Sequence, residues 1–354
     1  MLYIHIPFCD SKCHYCAFNS YTFLHELKEE YMASALKQLK HDIEKYDIKK
    51  NSLDSVFVGG GTPSTVDSSL YKELFLIINS YIKPNAEITF EANPNSATFE
   101  WLKGIKNLGA NRVSFGVQSF DDKKLKFLGR AHDSKEALLA IENAKKAGFE
   151  KISIDIIYST LFDTEEFLNK EFETIKNLPI EHLSLYSLTL EENTKFSNTP
   201  NVVNERDEAY SHIIKKAKDI GFFQYEVSNF AKEGESSKSK HNLGYWQYKP
   251  YLGIGAGAVG CIKNIRTYPH KDVKKYINEP LFKECEELKT DDIKNEKILL
   301  SLRYEGGFDI SLLDKKEREK AELLKKENKI IIKNSVVFNK NYFLADEIAL
   351  FILS

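Results

Sequence analysis

The chain has 354 residues, 50 lysines and arginines against 52 aspartates and glutamates, and a formal charge of −2. That balance, with no sustained basic tract, gives no support to a nucleic-acid partner, and no apolar run is long enough to suggest a membrane span. The length suits one barrel-sized domain with an appendage, and five cysteines, three of them crowded near the start, fit a metal site in a reducing, cytoplasmic setting better than a disulfide framework.

The first strand is predicted at "YIHI". In "HELKEEYMASALKQLKHDIEKY" an apolar residue recurs every fourth position, at Leu27, Tyr31, Ala35, Leu39 and Ile43, which predicts a helix. The unit repeats as "LDSVFV" and "SSLYKELFLIINSYI", "AEITFEAN" and "TFEWLKGIKNL", "NRVSFGVQ" and "SKEALLAIENAKKAG", "KISIDIIY" and "EEFLNKEFETIKNL", then "HLSLYSLTL". Six strands alternating with helices imply an α/β fold with a parallel sheet, open or curled. The strand faces choose between these. Ile88 and Phe90 alternate with Thr89 and Glu91, Val113, Phe115 and Val117 with Ser114, Gly116 and Gln118, and Ile152, Ile154 and Ile156 with Ser153 and Asp155. Strands covered by helices on both faces would be apolar throughout, so one small or polar face predicts a partial (β/α)6 barrel of the TIM type, lining a wet cavity.

After about residue 285 the pattern changes. "DDIKNEKILLSL" and "DISLLDKKEREKAELLKKEN" predict helices, and "KIIIKNSVVFNKNYFL" a hairpin turning near Asn334 and Ser335. The expected division is a barrel domain over 1–285 and a small α+β, winged-helix-like domain over 286–354. Its lysines are interspersed with acidic residues and read as a solvated helical face.

Cys9, Cys13 and Cys16 form CxxxCxxC on the loop after the first strand. Three thiolates on one tight loop can bind three irons of a 4Fe-4S cluster and leave the fourth iron open. Zinc is the rival, with His5 or His14 as a fourth ligand, although no second pair at zinc-finger spacing follows.

With CxxxCxxC after the first strand of a partial barrel, the chain resembles the radical S-adenosylmethionine (SAM) family. The resemblance implies that SAM chelates the open iron and that an electron from the cluster cleaves it to methionine and a 5′-deoxyadenosyl radical. It also implies SAM contacts at Tyr3, Tyr15, Gly60, Gly61, Thr62, Glu91, Gln118, Arg130, Asp155, Ser187 and Val259, of which Glu91, Gln118 and Asp155 lie on the polar faces. Gly60, Gly61 and Thr62 of "GGGTP" are expected to receive the methionine amino group, and Arg130 of "LGRAH" its carboxylate.

"YIHIPFC", "GGGTP", "GVQSF" and "GRAH" are similar to the oxygen-independent coproporphyrinogen III oxidase group, which includes the HemW-type haem chaperones. The oxidases carry a further cysteine where Phe18 stands, and an N-terminal extension before the position of Tyr3. His241, Asn242, Tyr245 and Trp246 form HNxxYW, which resembles the haem-binding motif of the chaperones. A histidine can be an axial haem ligand and aromatic rings can pack on a porphyrin, while the plainer reading is a histidine and aromatics closing the barrel's end. The resemblance thus implies a chaperone that binds haem near His241, Tyr245 and Trp246 and passes it to an acceptor protein. It implies an electron donor such as flavodoxin or ferredoxin, and it allows a homodimer and peripheral membrane association. It leaves radical chemistry open and speaks against the coproporphyrinogen reaction.

"YLGIGAGAVGC" is not a dinucleotide fingerprint, since no strand-helix unit with a later acidic residue follows. Cys261 and Cys285 read as ordinary thiols. The fifth strand runs into "DIIYSTLFDT", with Ser159 and Thr160 where related patterns have glycine and leucine. On the sixth, Ser187 matches a contact position although alternation directs Tyr186 inward.

Overall fold

The structure, a computed structural model, describes residues 1–204 and 209–354. Nine strands form one open sheet: β1 (Leu2–Ile6), β2 (Leu53–Gly60), β3 (Ile82–Ala92), β4 (Arg112–Gln118), β5 (Lys151–Tyr158), β6 (His182–Ser187), β7 (Phe223–Gln224), β8 (Asn229–Ala231) and β9 (Leu252–Ile254). Their order is β7-β8-β6-β5-β4-β3-β2-β1-β9. The pairings from β1 to β6 are parallel, as is β9 on β1, while β8 runs antiparallel to β6. The six predicted strands are thus the contiguous centre, and no ladder joins the two edges among the described residues.

The crossovers are α1 (Lys28–Lys45), α2 (Lys72–Ile78), α3 (Phe99–Asn107), the pair α4 (Asp122–Leu128) and α5 (Ser134–Lys146), and α6 (Glu165–Lys176). Their starts are written in the sequence: Thr98, Asp121, Asp133 and Thr164 each accept a backbone N–H from the first turn. Period-two alternation then sorts the strands. Ile4 and Ile6, Val56 and Val58, Ile88 and Phe90, Val113 and Phe115, Ile152 and Ile154, and Leu183 and Leu185 are buried in one core with the helices. The opposite face carries His5, Ser55, Glu87, Thr89, Glu91, Arg112, Ser114, Ser153, Asp155, His182 and Ser184.

Strands β7 to β9 were not anticipated, because two or three residues hold no readable period. After β6 come α7 (Ala209–Asp219) and α8 (Lys240–Trp246), the latter carrying HNxxYW across the N-terminal end of the sheet. A second small sheet, also unanticipated, joins β10 (Gly260–Ile262), β11 (Ile265–Tyr268) and β12 (Glu284–Glu287), with α9 (Val273–Asn278) between.

The C-terminal elements are α10 (Thr290–Ser301), β13 (Phe308–Asp309), α11 (Lys315–Lys326), the hairpin β14 (Ile330–Lys333) and β15 (Val336–Asn339), and α12 (Ala345–Leu353). They share a core of their own, including Ile298, Leu302, Leu324, Val337 and Ile348. The hairpin turns at Asn334 and Ser335, both left-handed at φ 51° and 64°, as a two-residue hairpin turn demands. The helix expected from "DISLL" onward begins only at Lys315. Asp309 caps a short 3-10 turn, and Asp314 caps α11 in a reciprocal box with Glu317.

Candidate functional site

The cysteine loop leaves β1 and is closed at its base by Cys9 N–H to Tyr21 O, 3.0 Å, and Tyr21 N–H to Pro7 O, 2.7 Å. Two histidines hold it from either side. His5 is buried; its Nδ1 meets Tyr3 Oη and its Nε2 meets Asn19 O, both at 2.8 Å, and Asn19 Nδ2 donates onward to Ala256 O and Lys271 O. His14 Nδ1 donates to Phe127 O at 2.8 Å and its Nε2 faces Lys195 Nζ at 3.0 Å. With all four ring nitrogens engaged in holding the loop, neither histidine is free to be a fourth ligand.

Each thiol has its own donor instead. Thr62 Oγ1 donates to Cys9 Sγ at 3.3 Å, and Arg130 Nη1 to Cys13 Sγ at 3.1 Å. Burial raises Cys9 and Cys16 above the usual thiol value, an effect opposed at Cys9 by Thr62 and Ser20, and at Cys16 by Lys12 and the Phe18 N–H. Thiols that resist ionisation alone but are surrounded by donors fit a site that supplies positive charge of its own.

The glycines at the end of β2 and just after it are constrained mainly by the protein itself. Gly60 has φ 114°, and a Cβ there would strike the His5 ring; at Gly61 a Cβ would lie 2.8 Å from Phe8 O and 3.1 Å from Cys9 Sγ. The Gly61 and Thr62 N–H groups already donate to Ile6 O and Phe8 O, both at 2.7 Å. What this segment has left to offer an ammonium group is oxygen.

Above the C-terminal ends of the strands lies a cavity of about 700 Å3, walled by the cysteine loop, β2 to β6, Tyr210, Val227 and Phe343. All the predicted SAM contacts except Tyr3 and Val259 line it. Both Tyr186 and Ser187 do so, which resolves the apparent conflict on β6. Glu91 accepts the Gly60 N–H at 2.9 Å. Burial, then the neighbouring Asp155, lifts Glu91 to about 7; burial lifts Asp155 to about 6, against Ser184, Arg130 and Ser114. Arg130 donates through Nη2 to Gly116 O at 2.6 Å and Asn93 Oδ1 at 2.7 Å, and its buried Nε has no partner. An orphaned guanidinium N–H beside the cysteines suits an incoming carboxylate. Gln118, at φ 68°, sits where the register between β4 and β5 shifts, a strained position at the cavity wall.

The remaining expected residues lie elsewhere. Tyr3 is one layer lower, bonded to His5, and Val259 packs its carbonyl on Gly253 of β9. His241 is 1 % exposed; Nδ1 pairs with Ser55 Oγ at 2.8 Å, Nε2 with Tyr245 Oη at 3.1 Å, and the ring stacks on Phe57. Burial depresses its pKa to about 3. The His241 N–H donates to Glu87 Oε1 at 3.1 Å, and Glu87 is held by Arg112 Nε at 3.0 Å, with Arg112 also reaching Ser153, Ser237 O and Lys238 O. In this arrangement the motif closes the barrel's floor, and His241 presents no free nitrogen to an iron.

A profile of the Radical SAM superfamily matches residues 3–175. The chain is 37% identical to "Heme chaperone HemW" of Bacillus subtilis over 320 residues, covering 86% of this chain and 83% of that one. The chain belongs to the HemW family of radical SAM proteins. It is also 36% identical over 276 residues to HemW of Escherichia coli, covering 76% of this chain and 70% of that one. At 30% over 338 residues it matches HemW of Mycobacterium tuberculosis, covering 91% and 86%. Coproporphyrinogen III oxidase (HemN) from Escherichia coli shares the fold, with TM-score 0.82 and 19% identity over 99% of this chain and 89% of that one.

Sequence reasoning missed Asn93. It links Arg130 to Thr62, 37 and 31 residues away, so nothing local marked it. Its place in "FEANP", two residues after Glu91 on the same side of a strand end, was the available signal.

Proposed function

We propose that this protein is a haem chaperone that holds a 4Fe-4S cluster on Cys9, Cys13 and Cys16, binds SAM in the adjoining cavity, and passes haem to an acceptor protein. The likeness to HemW proteins over most of both chains carries the reading. The cavity supports it: Cys9 and Cys13 thiols each with a side-chain donor, an unpartnered Arg130 Nε, and the Glu91 and Asp155 carboxyl groups on its wall. A cluster and SAM held there supply one-electron reductive cleavage of the sulfonium. The chain's own residues bind and orient: Arg130 the methionine carboxylate, Gly60 to Thr62 the amino group, and Glu91, Gln118, Asp155 and Ser187 the nucleoside side. Tyr15 packs between the cysteines and Arg130, while Tyr3 and Val259 act from behind, through His5 and β9.

Haem coordination by His241, with Tyr245 and Trp246 as packing partners, requires the Ser55 and Tyr245 hydrogen bonds to be given up. The closed floor does not fit an axial ligand, and no step is assigned to it. An electron donor of the flavodoxin or ferredoxin kind, a cytoplasmic location, peripheral membrane contact and a homodimer complete the reading. Among the described residues no helix is long and apolar enough to cross a membrane. In this reading the chain divides into a barrel domain over 1–285 and a small C-terminal domain over 286–354.

The test is anaerobic reconstitution followed by haem titration of wild type and His241→Ala. Saturable binding with a Soret shift, and transfer to a haem-free acceptor, are expected; no binding sinks the reading. An unchanged Soret band in His241→Ala leaves His241 to the floor and the haem elsewhere. The second reading, coproporphyrinogen oxidation, rests on the shared fold. Appreciable protoporphyrinogen from coproporphyrinogen III, SAM and reductant would replace the first reading with it.

A further inference from the structure

The three thiols of the cysteine loop differ in what reaches them, and the difference runs through one guanidinium. Arg130 Nη1 donates directly to Cys13 Sγ at 3.1 Å. Its Nη2 donates to Asn93 Oδ1 at 2.7 Å. Asn93 Nδ2 donates to Thr62 Oγ1 at 3.1 Å, and Thr62 Oγ1 donates to Cys9 Sγ at 3.3 Å.

The direction of this chain is fixed by chemistry. A guanidinium can only donate, so the oxygen of Asn93 must face Arg130 and its NH2 must face Thr62. A hydroxyl that accepts from an amide at that distance turns its own proton away from it, here onto the sulfur. Thr62 is 2 % exposed, so its hydroxyl meets little bulk water and the sulfur is the acceptor in reach. Each link polarises the next.

We propose that Asn93 and Thr62 are positioning residues that carry the charge of Arg130 to Cys9, so that one cation sets the electron affinity of a cluster through two of its three thiolates. This rests on the cysteines holding a 4Fe-4S cluster. Hydrogen bonds to cluster sulfurs favour the reduced state, and a charged terminal donor strengthens both branches. A ligand carboxylate that engages the free Nε of Arg130 is thereby felt at Cys13 and Cys9 together.

The experiment measures iron and sulfide content, then the midpoint potential by reductive titration followed by electron paramagnetic resonance, with and without SAM. Thr62→Val and Asn93→Leu are each expected to lower the midpoint, Thr62→Ser to keep the wild-type value, and the double variant to fall no further than Thr62→Val alone, since the two act in series. SAM is expected to move the potential of Asn93→Leu less than that of wild type. Variants that load four irons yet keep the wild-type potential, or whose effects simply add, overturn the relay alone. A wild-type chain that holds no 4Fe-4S cluster overturns the reading beneath it. If Thr62→Val fails to fold, Thr62→Ser against Asn93→Leu decides the matter in the same way.

Discussion

The two ends of the sheet use the same kind of residue for opposite purposes. At the C-terminal end Glu91, Asp155 and Arg130 face a cavity with groups left unsatisfied or held away from their usual charge state. At the N-terminal end Arg112, Glu87 and Ser153 saturate one another, and the helix carrying His241 is bonded onto them. Inward polarity by itself therefore does not mark a binding site: the cavity residues keep groups to offer a ligand, whereas the Arg112 network uses its own for closure.

Breaking the floor gives the largest effect. Arg112→Met leaves the Glu87 carboxylate buried without its cation and the Ser237 and Lys238 carbonyls without their donor, so about 3–5 kcal/mol of stability is expected to be lost, read by urea denaturation. Arg130→Met is the counterpart at the cavity. It strands Gly116 O and Asn93 Oδ1 at a cavity that water can enter, so it is expected to cost about 1–2 kcal/mol of stability, less than Arg112→Met, but to weaken SAM binding about 10- to 100-fold, the worth of charged hydrogen bonds. Equal losses of stability from both would erase the distinction between the ends.

His241→Ala comes next. It removes a fully buried ring and strands Ser55 Oγ and Tyr245 Oη, for an expected cost of about 2–3 kcal/mol. A loss below about 0.5 kcal/mol, with haem binding abolished, would instead make the histidine a ligand held in reserve.

The contrast also explains how far the sequence carried. Alternation located the polar face on β3, β4 and β5, and with it Glu91 and Asp155, because that period is local. The same alternation runs on to Glu87, Arg112 and Ser153 and cannot say which end of a strand stays open. Arg112 meets Ser237 across 125 residues, and His241 meets Ser55 across 186. HNxxYW was legible as a motif, whereas its burial depends on those distant partners. The "GGGTP" run was legible as close approach, but the bodies approached at Gly60 and Gly61 are chiefly His5, Phe8 and Cys9.

The carboxyl groups give a smaller effect that depends on pH. Glu91 is raised from 4.5 to about 7, first by burial and then by Asp155, so the folded chain holds a proton that the unfolded chain releases. Stability from the neutral form is therefore complete below about pH 4.5 and lost as pH rises to about 7. Glu91→Gln stays neutral throughout. The variant is expected to gain on wild type across that window by about 2 kcal/mol, after allowance for water in the cavity, and to run parallel above it. A difference independent of pH would mean that the cavity does not hold Glu91 protonated.

The smallest effect tests the strain at the cavity end directly. Ser159 has φ 62°, at the turn after β5 where related patterns carry glycine. The surroundings hold it there: Asn204 N–H donates to Ser159 O at 2.9 Å, and Asp163 takes both Thr160 N–H and Thr160 Oγ1 at 2.7 Å. Asp163 is itself fixed by the buried Lys124 at 2.7 Å, with Glu171 beside it. A left-handed L-residue costs about 1–2 kcal/mol, while glycine frees the unfolded chain by about 0.5–1 kcal/mol. Ser159→Gly is thus expected to stabilise the fold by up to about 1 kcal/mol with SAM affinity unchanged, since Asp163 and not residue 159 shapes the turn. If the variant is less stable, the serine side chain is itself a support, and the strain at this end has been offset locally.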